Sequence, residues 1–424
     1  MKNGKFFGAL TLLFAFALAG AGCTDKAPSG GEPTDTGTQT PPEPETPQSA
    51  AYVVESALEL QRLTGLHDGD TVLMKGFYLP GDGGGGMFVW DEGSAAEIDG
   101  GTVFGGGSDT GRFVRDCEPN YRNVRWFGAV GSGSTDDTEA IQRAIDSLPA
   151  SGGTVSVPGG NYRISQPLQI GNGDGANRHS TVNGIRLIGE GGGFASGGTQ
   201  YPTRLTAAVP METMLSVNGK ISDVVLQDMF IDGNYMANSG IVIQAASGLT
   251  VTDISVGVTL VYGIQVLGGS GIGTENKLNR FETVSVYAVE EKTICLYMDG
   301  ATEGTPGNSM TTFVDCRFDT AQTENSYAVW MRSTTGTDFY RCHFNTYQDS
   351  STGLVLDATN CHGYPYGNVF YDCSIVSVAV QEDQTGYIGR NFFYGYGTYD
   401  LEDLPEHPML SGITDAGIPF NLGS

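Results

Sequence analysis

NVRWFGAVG (123–131), STDDTEAIQRAIDSL (134–148) and GGTVSVPGGNYRIS (152–165) follow one another with only short gaps, and their reading decides the fold. Asp136 or Asp137 is placed to cap a helix, with Glu139 positioned to complete a capping box. Ala140, Ile141, Ala144, Ile145 and Leu148 then line one face with small apolar groups. After Gly152-Gly153, the alternation of Val155, Val157, Tyr162 and Ile164 switches the period from helix to strand. A short helix followed by strands and Gly-rich turns suits the open end of a parallel β-solenoid, where the helix covers the core of the first coil.

The stretch resembles the pectate-lyase-like family of right-handed parallel β-helices, which includes rhamnogalacturonase/epimerase-like proteins and phage tailspike depolymerases. That family carries F-G-A, D-D-T, A-I-x-x-A and then G-G-x-V-x-V-P-x-G-x-Y. Here they stand as Phe127-Gly128-Ala129, Asp136-Asp137-Thr138, Ala140-Ile141 with Ala144, and Gly152-Gly153 through Pro158 to Tyr162, with Ser132 in place of a usual Asp. The GDGGGG (81–86) to FVWD and GGTV to GRF segments upstream resemble the leader often attached to this family. The resemblance implies an all-β, right-handed parallel β-helix with an N-terminal capping helix and a small β-rich leader. It identifies a fold rather than a chemistry.

Repeats downstream support the solenoid without the family. NRFETVSV (279–286), TTFVDCRF (311–318), TDFYRCHF (337–344) and NVFYDCSI (368–375) align, their Phe residues 32, 26 and 31 positions apart. A second strand type lies between them: GIVIQ (240–244), GIQVL (263–267), TICLYMD (293–299), AVWMRS (328–333) and GLVLDA (353–358). Phe281, Phe313, Phe339 and Phe370 are expected to stack inside. Cys316, Cys342 and Cys373 take one inward position as small hydrophobes, with a Cys316–Cys342 disulfide as the alternative. Asp315 and Asp372 suit a left-handed bend, and Asn238 reads as a turn residue.

Composition bounds the rest. The chain of 424 residues has 63 glycines, 39% hydrophobic residues and 22 Lys+Arg against 48 Asp+Glu, a net charge of −26. This excludes disorder, collagen and coiled coil, and it disfavours nucleic acid as a partner. Lys2 and Lys5 precede an apolar run ending in Ala-Gly-Ala-Gly-Cys23, which resembles a bacterial lipoprotein signal with Cys23 lipidated. The expected organisation is a signal over 1–22, a flexible Pro/Thr/Gly/Glu stalk over 23–50, a small β-rich leader over 51–118 and the β-helix over 119–424. The expected location is exported and membrane-anchored. The leader is expected to open with a helix over Ser56–Leu66, and GDGGGG reads as a turn, because the Lys-Ser/Thr and helix of a phosphate loop are missing.

Strand alternation points to a candidate site. Cys295, Tyr297 and Asp299 are expected to face outward, as are Trp330 and Arg332, then Val355 and Asp357. Stacking these coils gives one row of Tyr297, Arg332 and Asp357 beside Trp330, with Gln265 and Gln244 before it and Glu382 and Asp383 after it. Trp330 offers a flat face for a sugar ring, and Arg332 can bind a uronate carboxylate; alternatively Arg332 and Asp357 form a plain ion pair. Three functions fit. A polysaccharide lyase would move a proton through Arg332 or Tyr297, with Asp299 or Asp357 as positioner or ligand, and with Arg or Ca²⁺ neutralising the uronate. A glycoside hydrolase would pair Asp299 with Asp357, or Asp232 with Asp253. A non-catalytic polysaccharide-binding module would need the aromatic row alone. His343 and His362 are secondary candidates, and no Cys or His cluster supports zinc.

Overall fold

The computed structural model describes residues 51–107, 110–171, 183–191, 202–268, 276–300, 307–320, 324–359, 365–381, 388, 390–395, 410–413 and 419–421. The expected signal, stalk and lipidation at Cys23 lie outside the described residues, as do Cys361, His362, Glu382 and Asp383. Residues 49–424 form one compact unit.

The unit opens with a five-stranded sheet whose core holds Leu60, Val72, Phe88 and Phe113, all buried. Helical spacing suggested a helix to Leu66, but the helix is one turn, Ala57–Leu60, and Leu58 is exposed. So short a segment cannot hold a longer helix without a face to bury. The GDGGGG turn is closed by Asp82, whose carboxylate accepts the backbone N–H groups of Phe77, Tyr78, Leu79 and Gly84. Arg115 donates to the carbonyls of Gly84, Gly85 and Gly101. Its guanidinium lies over both Phe88 and Trp126, 4.6 and 4.7 Å from the ring centroids, so it joins the leader to the first coil.

The parallel β-helix follows, with an 11-stranded front sheet and a 19-stranded sheet that continues around the remaining faces. The helix Thr138–Asp146 closes its end, burying Ile141, Ala144 and Ile145 against the same core as Val155 and Tyr162. The capping detail differs from expectation. Asp137 makes no side-chain cap; its carboxylate accepts from Val130 N (2.6 Å) and Gly131 N (3.1 Å), pinning the preceding turn. Asp136 accepts from Thr138 N at 3.0 Å instead. Glu139 reaches towards Arg143 (3.8 Å).

The inward ladders stand as the repeats predict. Phe281, Phe313, Phe339, Phe370 and also Phe393 stack with centroid spacings of 4.5, 4.6, 5.1 and 4.8 Å. Each such pair contributes about 0.5–1.5 kcal/mol beyond area burial. Cys316, Cys342 and Cys373 are buried thiols, so the disulfide alternative is not formed. The bend residues Asp315 and Asp372 have φ of 53°, and Arg341 at the equivalent bend pairs with Asp315 at 2.7 Å. Asn238 lies within the strand Ala237–Ser247 rather than in a turn.

Candidate functional site on the front sheet

Register along the front sheet decides which outward side chains meet. Gln265 pairs with Tyr297, Tyr297 with Trp330, and Trp330 with Val355. Leu267 pairs with Asp299, and Asp357 with Gln381, one outward position further along. Met298–Met331–Leu356 are also in register, so Arg332 stands between Asp299 and Asp357. The single row expected from alternation is therefore two adjacent rows: Gln265–Tyr297–Trp330 and Asp299–Arg332–Asp357. Both bring their residues together, but Tyr297 is in register with Trp330 rather than with Arg332.

Alternation also slips at the strand start. Cys295, expected outward, is fully buried, and its thiol donates to Asp319 O at 3.3 Å. Ile294 before it is buried as well, in register with Tyr262 and Tyr327. The cause is the corner between sheets. A Cβ at the equivalent Gly263 would meet a Val286 methyl at 2.2 Å, so this column turns into the core and admits only small residues. Val355 is buried although its register is outward.

Within the rows the polar groups form one network. Tyr297 Oη donates to Asp299 Oδ2 at 2.9 Å. Arg332 Nη1 lies 3.2 Å from the same carboxylate oxygen and 3.5 Å from Tyr297 Oη, and Nη2 donates to Thr359 O at 2.7 Å. Arg332 Nε is 3.2 Å from Asp357 Oδ2. Asp357 also accepts from Trp330 Nε1 (3.0 Å), Thr359 N (2.8 Å) and Thr359 Oγ1 (2.6 Å). Three hydrogen-bond donors and the Arg332 cation thus surround the Asp357 carboxylate. Asp357 is 3% exposed, whereas the Asp299 and Arg332 side chains keep 25% and 22%. The expected ion pair thus exists, half-buried and shared with Asp299. Burial pushes the Asp299 carboxyl up, with Arg332 and the Tyr297 hydrogen bond partly offsetting it. Burial likewise raises the Tyr297 phenol.

Sequence reasoning missed Tyr262 and Tyr327. Tyr262 lies 5.1 Å from Tyr297, and Tyr327 packs edge-on against Trp330 at 4.7 Å. The signal was available as the aromatic just before two of the repeated front segments, GIQVL and AVWMRS. The alternative carboxylate pair is not assembled: Asp232 is buried against Arg204, while Asp253 sits in a left-handed bend elsewhere on the coil. His343 is exposed on another face. Among the described residues no three His, Cys, Asp or Glu side chains converge as a cation site.

Residues 121–296 match the family described as rhamnogalacturonase A/epimerase, pectate lyase-like, and residues 53–118 match the phage tail protein small four-stranded β-sheet domain. Mannuronan C5-epimerase AlgE1 of Azotobacter vinelandii is 34% identical over 143 residues, covering 32% of this chain and 9% of that enzyme. Alginate lyase 7 of the same organism is 38% identical over 121 residues, 26% of this chain and 12% of that one. The chain therefore spans about a tenth of the length of these curated relatives. In fold, tailspike protein 2 of Escherichia coli O157:H7 bacteriophage CAB120 superposes with a TM-score of 0.60 at 14% identity, over 83% of this chain and 43% of that one. Tyr297, Asp299, Trp330, Arg332 and Asp357 all lie beyond the family match, and Gln265 lies within it.

Proposed function

Starting from residues 121–296 as a rhamnogalacturonase A/epimerase, pectate lyase-like domain within a parallel β-helix, we propose that the chain cleaves a uronate-containing polysaccharide by β-elimination on the front sheet. The observation that carries this reading is the Tyr297 hydroxyl held 2.9 Å from Asp299 with Arg332 against both, on an aromatic-lined face. The names of the relatives, an epimerase and a lyase of uronate polymers, support it.

Asp299 takes the proton beside the uronate carboxyl, the bond to the leaving glycosidic oxygen breaks, and Tyr297 donates its proton to that oxygen. The proton on Asp299 then passes to the Tyr297 oxygen across their hydrogen bond, which restores the site. Raised pKa values suit both tasks, because Asp299 becomes a better base and Tyr297 keeps its proton until it is needed. Arg332 offsets the developing negative charge. Trp330 and Tyr262 carry sugar rings. Asp357, nearly buried under three hydrogen bonds and ion-paired to Arg332, positions Arg332 and Trp330 rather than moving protons, and this disfavours hydrolysis by an Asp299–Asp357 pair.

The chain works outside the cytoplasm, carried there by segment 1–22 and tethered through Cys23. Incubation with pectic, alginate-like and glucuronan polymers, with and without Ca²⁺, tests the chemistry. Unsaturated-uronate absorbance together with new reducing ends is the expected result. Reducing ends alone mean hydrolysis, and silence on both with retained glycan binding leaves a binding module; either outcome refutes the elimination.

A further inference from the structure

The five-stranded sheet that opens the unit is apolar on both faces. Its strands are Ala51–Val54, Thr71–Met74, Gly86–Asp91, Val103–Gly105 and Arg112–Arg115. A sheet with one face in water alternates apolar and polar residues, and Val72, Met74, Phe88 and Phe113 fill the inner face. The residues between them do not turn polar. Val53 pairs with Leu73 and Leu73 with Met87, while Val89 pairs with Val114 and Val114 with Val103. Val53, Leu73, Met87 and Val89 are 38–60% exposed. A Cβ at Gly105 would meet Ile98 Cδ1 at 2.8 Å, so Ile98 extends this outer face past its last strand. Single exposed apolar residues are ordinary, but a contiguous set marks a contact surface.

Shape and charge say what covers it. Residues 24–50, which lead into the first strand, hold no Val, Ile, Leu, Met or aromatic residue and cannot bury such a face. A surface that lies on lipid carries Trp, Tyr, Lys or Arg for the headgroups. Here the outward charges on the strands are Asp91 and Arg112, which stand opposite one another and cancel. Val, Leu and Met side chains on a flat sheet fit a second flat sheet at about 10 Å. A copy of the same face supplies one, and a two-fold axis sets each copy's charge pair against the same pair reversed. Five strands at ~4.8 Å with Ile98 beyond them give on the order of 400 Å² per copy. Two copies bury on the order of 800 Å², below a permanent pair and within the range of weak, reversible ones.

We propose that the outer face of this sheet is the contact between two copies of the chain, packed sheet on sheet about a two-fold axis in a reversible dimer. The inference uses no residue of the front-sheet network and is independent of the reaction proposed there.

The test is sedimentation velocity of the full chain carrying Cys23→Ser, so that no lipid drives association. A monomer–dimer equilibrium with a dissociation constant on the order of 10 µM is expected. Salt should tighten it, because each copy carries a charge of −26 and screening shortens the repulsion to about 8 Å at physiological ionic strength. Leu73→Lys should weaken the dimer by about a hundredfold or more, with the circular dichroism spectrum unchanged. Leu58→Lys, at an exposed leucine on the helix that covers the inner face, should leave the dimer as it is. A chain that stays monomeric at every concentration and salt overturns the proposal, whether residues 6–19 or nothing then covers the face. A dimer that salt loosens, or that Leu73→Lys leaves intact, also overturns it. Flotation with phosphatidylcholine vesicles that Leu73→Lys abolishes makes lipid the occupant and overturns it as well.

Discussion

Replacing Asp357 with Asn keeps the shape of the side chain and removes its ability to accept on both sides. In the native protein one carboxylate oxygen takes Thr359 N–H and O–H, and the other takes Trp330 Nε1 and lies 3.2 Å from Arg332 Nε as an ion pair. An amide that keeps Thr359 on its oxygen turns an NH₂ towards the Trp330 indole N–H and the Arg332 cation. Each stranded buried donor costs about 1–3 kcal/mol, and the Arg332 charge also loses a counter-ion. Arg332 retains 22% exposure, so water recovers part of this. The net loss is then about 2–3 kcal/mol. With a urea slope of about 2 kcal/mol/M, the midpoint falls by about 1 M, as read by far-ultraviolet circular dichroism. The cycle with Trp330→Phe isolates the contact. Phe needs no acceptor, so Asp357→Asn should cost about 1 kcal/mol less in that background. An unchanged midpoint, or costs that simply add, would refute the assignment of Asp357 as the group that holds Trp330 and Arg332.

Further outcomes follow from the same geometry. Activity should rise with pH along an acid limb displaced above the ordinary carboxylate range, because burial raises Asp299 and only its ionised form is a base; Asp299→Asn should abolish turnover, and a limb at the ordinary carboxylate position would contradict the role. The sign for stability is opposite: the folded state holds the Asp299 proton more tightly than the unfolded chain. Its contribution is therefore present at low pH and lost as pH rises through the raised pKa. Tyr297→Phe should reduce kcat by about 10²-fold or more with binding retained, and an unaffected kcat would remove the tyrosine from the chemistry. Phe339→Ala, which empties a ring stacked at 4.6 and 5.1 Å between two others, should destabilise by about 3–5 kcal/mol in the same urea experiment. Alkylation mapped by mass spectrometry should leave Cys316, Cys342 and Cys373 unmodified in the native protein and label them in denaturant, since all three are buried thiols outside any disulfide.

What could be read without coordinates is whatever repeats once per coil. The Phe ladder and the Cys column follow from burial pattern, because a side chain facing the core has the same neighbours above and below whatever the loops do; the helix at 138–146, which occurs once, was legible from its own one-sided apolar spacing. The left-handed bends at Asp315 and Asp372 were legible for the same reason. The candidate site was legible only as a set of residues on one face. Tyr297 to Trp330 is 33 positions and Trp330 to Val355 is 25, so loop length varies and register cannot be counted along the chain. Only the paired strands decide that Tyr297 lies on Trp330, that Arg332 bridges two aspartates and that Cys295 turns into the corner. The hydrogen bonds of Asp357 were equally invisible, since one of their donors, Thr359, lies in the turn after the strand and another, Trp330, comes from the neighbouring coil. Sequence by itself determined the solenoid and its inward ladders, because burial repeats locally. Tertiary structure alone decided which outward groups share a proton or a charge, because hydrogen bonding depends on ångström-scale contacts between coils.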